Sequence, residues 1–215
     1  MEFAAGVRHS FAEQIEGEKH QVREDRLEVD EATLRLNLWL TQGIVMGVAA
    51  AGSFLVLGWE ATLSLFILPD WDAVLWAVFV AAGIIIASIA MDRYLPKRWQ
   101  DDGSINEKVF GTMLPSTTIL VCMVVGVGEE WLFRGVIQSL TGNFWSSLIF
   151  TLIHIRYLKK PLMIISVFGT SLILGLLFSH YQSLWPSIVA HILIDVMLAF
   201  YLQKTIKKRG RKSES

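Results

Sequence analysis

Six ionisable residues carry whatever chemistry this chain does: Glu129, Glu130, Arg134, His154, His191 and Asp195. All six fall in stretches that are otherwise apolar, as in "GVGEEWLFRG" at 126–135. An ionisable group in hydrocarbon is expensive, so each is a functional candidate by default. Glu130 and Arg134 are four residues apart, share one face of a helix and can pair, which lowers the cost of burying Arg134. Glu129 sits about 100° around the same helix and points elsewhere. Its carboxylate is left for chemistry, as a general base. His191 and Asp195 are again four apart, so the carboxylate can orient or charge-stabilise the imidazole.

Two chemistries fit this set. Two His and a carboxylate (Glu129, His154, His191) could hold Zn²⁺ with an open water position. Equally, Glu129 and His154 could polarise a water with no metal, while His191 and Asp195 donate to a developing oxyanion. Both routes hydrolyse an acyl bond in a membrane cavity. A proton or ion relay could use the same residues. The soluble signature H-E-x-x-H is absent.

Such groups need a membrane bundle to position them. The chain has 215 residues, 53% apolar and only 18% charged, with eight Trp. That balance belongs to a polytopic membrane protein. Its net charge of −1 points to no nucleic-acid partner. The expected fold is all-α, a bundle of about six transmembrane helices. The spans are expected near 38–58, 73–90, 110–140, 144 to past His154, 162–179 and 185–202. "ATLSLFIL" (61–68) is too short to cross. The organisation reads as a polar N-terminal helix over 1–35, a bundle over 36–203 with a catalytic core at 110–202, and a basic tail at 204–215. The first 35 residues hold nine acids and no apolar stretch of a cleavable signal.

The basic residues orient the bundle. Eighteen of the 19 Lys and Arg lie in the N-terminal tail, the 91–109 loop, the turn at 156–160 and the C-terminal tail. The alternate connections hold none. This asymmetry puts both termini in the cytoplasm. The remaining basic residue is Arg134. Counted from the outer ends of their spans, Glu129, His154 and Asp195 each lie roughly 16 Å deep and His191 roughly 10 Å. Three helices thus bring polar groups to similar depth.

Plainer roles are assigned to several other residues. Gly43-x-x-x-Gly47 and the alanines after it read as a helix-packing face. The Trp residues near span ends form an interfacial belt. Cys122 is a small core residue, and His180 an interfacial one beside Tyr181. A single membrane His more often makes an interhelical hydrogen bond than catalyses, and a Glu–Arg pair can be structural glue. It is their co-occurrence that points to a site.

The pattern resembles the CPBP intramembrane proteases, which include CAAX prenyl endopeptidases of the Rce type and bacterial abortive-infection-like proteins. "EEWLFRG" is similar to the family motif E-E-x-x-x-R at Glu129, Glu130 and Arg134. "FTLIH" is similar to F-x-x-x-H at Phe150 and His154, and "HILID" to H-x-x-x-N/D at His191 and Asp195. The three pieces fall in order within about seventy residues, and the resemblance covers roughly residues 110–200. It implies an integral membrane endopeptidase in which Glu129 and His154 activate the attacking water. His191 and Asp195 would bind the oxyanion, with Glu130, Arg134 and Phe150 in support. Where the family usually has Asn, this chain has Asp195, which either carries a proton or only orients His191. The family is often labelled a metalloprotease, with a metal-free glutamate mechanism as the competing view; the sequence favours the metal-free form. The implied substrate is a peptide or membrane protein, prenylated in the CAAX case, and the implied setting a bacterial cell membrane. The alternatives are a non-catalytic scaffold or immunity protein that retains the fold, and a transporter.

Overall fold

The computed structural model describes residues 31–99, 104–157 and 160–213. The helix expected over 1–35 therefore lies almost wholly outside the described residues. The described chain is helical throughout, with no strand. Helix α1 (Glu31–Gly52) ends in a π-helical turn (Ser53–Leu57), and short α2 (Trp59–Ser64) follows. Then come α3 (Trp71–Tyr94), short α4 (Ile105–Phe110) and α5 (Pro115–Glu130). The latter runs on through a π-helical stretch (Trp131–Gln138) and one α-turn (Ser139–Thr141). Helices α6 (Asn143–Ile153), α7 (Pro161–Tyr181) and α8 (Trp185–Ser213) complete the bundle. Among the described residues four helical stretches are long and apolar enough to cross a membrane: Glu31–Leu57, Trp71–Tyr94, Pro161–Tyr181 and Trp185–Arg209.

Two expected spans take a different form. The stretch 110–140 is not one uniform helix. It is interrupted before Pro115, whose ring disfavours helical geometry at Leu114, and Leu114 is extended (φ −63°, ψ 145°). The fourth segment does not continue past His154: α6 has 11 residues, roughly 16 Å at 1.5 Å per residue, about half of a 30 Å hydrocarbon layer. Gly142, at φ 83°, makes the corner between the α5 continuation and α6 in a conformation that a side chain would strain.

The small-residue packing face expected at Gly43, Gly47 and the alanines after them is met in part: Ala49 is fully buried. A Cβ on Gly43 or Gly47 would meet nothing within 4 Å. The close approach is made by Ala73, Ala77 and Ala81 of α3, each at most 1% exposed. Ala77 and Ala81 pack in one core with Leu174, Leu177, Ala190 and Ile194 of α7 and α8. In lipid, association rests on van der Waals fit, so a small-x-x-x-small row counts only where a partner backbone meets it. Two tyrosines pin α3 near its ends: Tyr181 donates to Asp72 and Tyr201 to Asp92, each at 3.0 Å.

Polar side chains hold the short segments to the long helices. Arg35 of α1 donates from Nε to the Val109 carbonyl (3.2 Å) and from Nη2 to Thr112 Oγ1 (2.7 Å). Gln203 of α8 donates from Nε2 to the carbonyls of Phe110 (2.8 Å) and Met113 (3.1 Å). Helix α2, in the stretch read as too short to cross, is tied to the α7–α8 turn by Trp185 Nε1 donating to Phe66 (2.9 Å) and Ser183 to Ile67 (2.8 Å). Replacing Gln203 by Leu removes the donor to the Met113 carbonyl inside the protein. A cost of about 1–3 kcal/mol is expected, read as a lower thermal midpoint of the purified protein in detergent.

Candidate functional site

The site is built outward from Arg134. Its side chain and that of Glu130 are both 0% exposed. Arg134 Nε donates to Glu130 Oε2 at 3.1 Å, as the spacing requires. Nη1 donates to Gln138 Oε1 (3.3 Å) and Nη2 to Ser171 Oγ of α7 (2.7 Å). Gln138 in turn donates to the Gly175 carbonyl (2.8 Å) and to Ser179 Oγ (2.9 Å). Each nitrogen of the guanidinium thus has a partner inside the protein, as burying a charge requires pairing and hydrogen bonds. The π-helical stretch Trp131–Gln138 carries Arg134 and Gln138; such widened turns are rare and often lie at functional sites.

Glu130 is not confined to Arg134. Its other oxygen, Oε1, lies 2.8 Å from His191 Nδ1 on α8. A carboxylate paired with an always-charged guanidinium can only accept, so His191 Nδ1 carries the hydrogen. The ring's other nitrogen, Nε2, lies 3.4 Å from Asp195 Oδ2 and 4.0 Å from Glu129 Oε2. The neighbouring carboxylates that were expected to point apart therefore approach opposite nitrogens of one imidazole. The reason is tertiary: α8 lies close enough to α5 for His191 to fit between them. A Cβ on Gly126 would come 2.7 Å from Ile192 Cγ1, so only glycine permits that distance without a shift. Gly128 opens the other side, where its Cβ would lie 3.1 Å from Met46 Sδ of α1.

His154 stands at the C-terminal end of α6, outside the regular helix. Its Nδ1 lies 2.7 Å from the Phe150 carbonyl oxygen. That oxygen can only accept, so Nδ1 donates, and in the neutral ring the lone pair is on Nε2. The ring lies between Phe150 (centroids 4.6 Å apart) and Tyr157 (6.0 Å, nearly parallel). Phe133 meets Phe150 edge-on at 4.8 Å. The F-x-x-x-H spacing thus supplies both a ring to pack on and the carbonyl that sets the tautomer. Tyr157, absent from the sequence reading, completes the stack. Gln42 of α1 was also missed: its Nε2 donates to Glu129 Oε1 at 3.4 Å. No local pattern marks either residue, because both reach the site from elements outside the three motif pieces.

Glu129, Arg134, Phe150, His154, His191 and Asp195 line one cavity of about 620 Å³, and Gln42, Cys122 and Tyr157 line it too. Glu130 sits behind this wall. Among the described residues no three His, Cys, Asp or Glu side chains converge as a metal-ligand group. Of the set that the sequence left open for zinc, Glu129, His154 and His191, the structure brings Glu129 Oε2 to 4.0 Å from His191 Nε2, with Glu130 holding the other nitrogen of that ring.

Fold and site together define a multi-pass helical membrane protein with a compensated charge network beside an internal cavity. The chain belongs to the Rce1-like type II CAAX prenyl endopeptidase family, whose match covers residues 111–197, from just before α5 to just past Asp195. It is also similar to the uncharacterized protein YpbD of Bacillus subtilis (strain 168): 33% identical over 171 residues, covering 80% of this chain and 90% of that one. No solved structure matches.

The network makes a stability prediction. Replacing Arg134 by Met strands the Glu130 charge, at an expected cost of about 3–5 kcal/mol. Pairing it with Glu130→Gln removes that charge, so the double variant is expected to unfold at a higher temperature than Arg134→Met alone. Thermal unfolding in detergent compares the two.

Proposed function

We propose that this protein is an integral membrane endopeptidase that cleaves a peptide bond of a membrane-associated or lipid-modified substrate with a water activated by Glu129 and His154. The observation that carries the reading is the shared cavity: Glu129, His154, His191 and Asp195, supplied by α5, the end of α6 and α8, line one space. Family membership supports the class of reaction. The buried network behind the cavity supports a site whose geometry is held before substrate arrives.

In this reading a water lies between Glu129 Oε2 and His154 Nε2. Glu129 takes its proton as the oxygen attacks the scissile carbonyl carbon, and His154 orients the water through its lone pair. The carbonyl oxygen becomes an oxyanion, and His191 faces it with an Nε2–H. Glu130 accepts from Nδ1 on the other side of that ring, so an Nε2–H at the oxyanion requires the doubly protonated imidazolium form. Asp195 orients His191 and does not itself donate. The proton on Glu129 then passes to the leaving amine as the C–N bond breaks. The proposed setting is a bacterial cell membrane with both termini in the cytoplasm, in accord with the distribution of Lys and Arg. A prenylated C-terminus is the substrate expected in the CAAX case.

The test is a comparison of membrane proteomes from cells with the native protein, Glu129→Ala and His154→Ala, scored for new peptide termini. Each variant is expected to lower formation of the native-dependent termini by about 10²-fold or more while eluting as folded protein. Termini that persist in a folded Glu129→Ala variant would leave a non-catalytic scaffold as the better reading.

A further inference from the structure

Gln42 lies in the middle of α1, outside the 111–197 family match. It is 4% exposed in a helix that is otherwise long and apolar enough to cross a membrane. A carboxamide there costs free energy unless its hydrogen bonds are made. Its one bond to a described residue runs from Nε2 to Glu129 Oε1 at 3.4 Å. Its Oε1 is buried and has no protein partner among the described residues. A glutamine serving only to join helices would be expected to satisfy both ends; one left half-satisfied in a native structure calls for a particular explanation.

The geometry points to Gln42 as a positioning residue for Glu129. Gln42 holds Oε1 from α1, while Oε2 is the oxygen that approaches His191 Nε2 of α8 at 4.0 Å. The carboxylate is thereby spanned between two helices, one oxygen anchored and the other presented to the cavity. Gly128 lies against the same stretch of α1: a Cβ there would sit 3.1 Å from Met46 Sδ, a tight contact, and 3.5 Å from Gln42 Oε1, an ordinary one. Glu129 sits on α5 two residues before the π-helical stretch begins, and from the three motif pieces its carboxylate is approached by His191 Nε2 at the longer distance of 4.0 Å. An unanchored carboxylate samples several rotamers, and misplacement by about 1 Å can cost about 10²-fold in rate. This assignment rests on the reading of Glu129 as the base of the proposed hydrolysis.

The test uses the full-length protein in detergent and needs no substrate. Infrared difference spectra across a pH titration are recorded for the native protein, and the Glu129 carboxyl band is identified as the one lost in Glu129→Gln. Gln42→Leu is expected to shift that band and its titration midpoint. Substrate-independent thermal unfolding checks that the variant is folded. If Gln42→Leu does not fold, Gln42→Glu, which keeps the shape and replaces the neutral amide donor with an acid, is read the same way. A Glu129 band that stays at its native position and midpoint in a folded variant overturns the assignment. In cells, the Glu129-dependent peptide termini are expected to fall about 10- to 100-fold in Gln42→Leu. If those termini persist in Glu129→Gln while the band still moves in Gln42→Leu, the proteolytic reading fails and the contact between Gln42 and Glu129 stands.

Discussion

The structure turns on one buried charge pair, Arg134 with Glu130. A guanidinium with no exposed surface inside an apolar bundle is tolerable only if it is paired and its nitrogens are hydrogen-bonded. The answers come from three places: Glu130 on its own helix, Gln138 four residues on, and Ser171 on α7. Gln138 passes the requirement on to Gly175 and Ser179. Meeting this demand locks α5 and its π-helical continuation against α7, and Glu130 extends the lock to α8 through His191. The group that would face a developing oxyanion is therefore held by the interaction that holds the bundle.

The charges are bought with close packing. Gly126 lets α8 approach at Ile192 and Gly128 lets α1 approach at Met46. The alanines of α3 do the same for α8 on the far side. With lipid outside, no hydrophobic gain drives these helices together, so fit and internal hydrogen bonds must do it. Helix α6, with 11 residues, is about half as long as a 30 Å hydrocarbon layer is thick. The chain's exit from the helix at His154 frees that ring from a helical side-chain direction and lets Phe150 and Tyr157 grip it on two sides.

The amino-acid sequence by itself determined the class of the protein and named six of the residues that line its cavity. Apolar content set the membrane bundle, because isolated charges are too expensive in hydrocarbon to be scattered without purpose. The i,i+4 spacings of Glu130 with Arg134 and of His191 with Asp195 are local, and helix geometry alone brings each pair together. What only the tertiary structure decided is which pair meets which. That Glu130 serves both Arg134 and His191, that two adjacent carboxylates approach opposite nitrogens of one ring, and that Gln42 and Tyr157 belong to the site all depend on distances between helices. Periodicity within one helix carries no information about those distances. The same reason explains Gly43 and Gly47: a small-residue row is visible in sequence, but whether another backbone lies against it is a property of the assembled bundle.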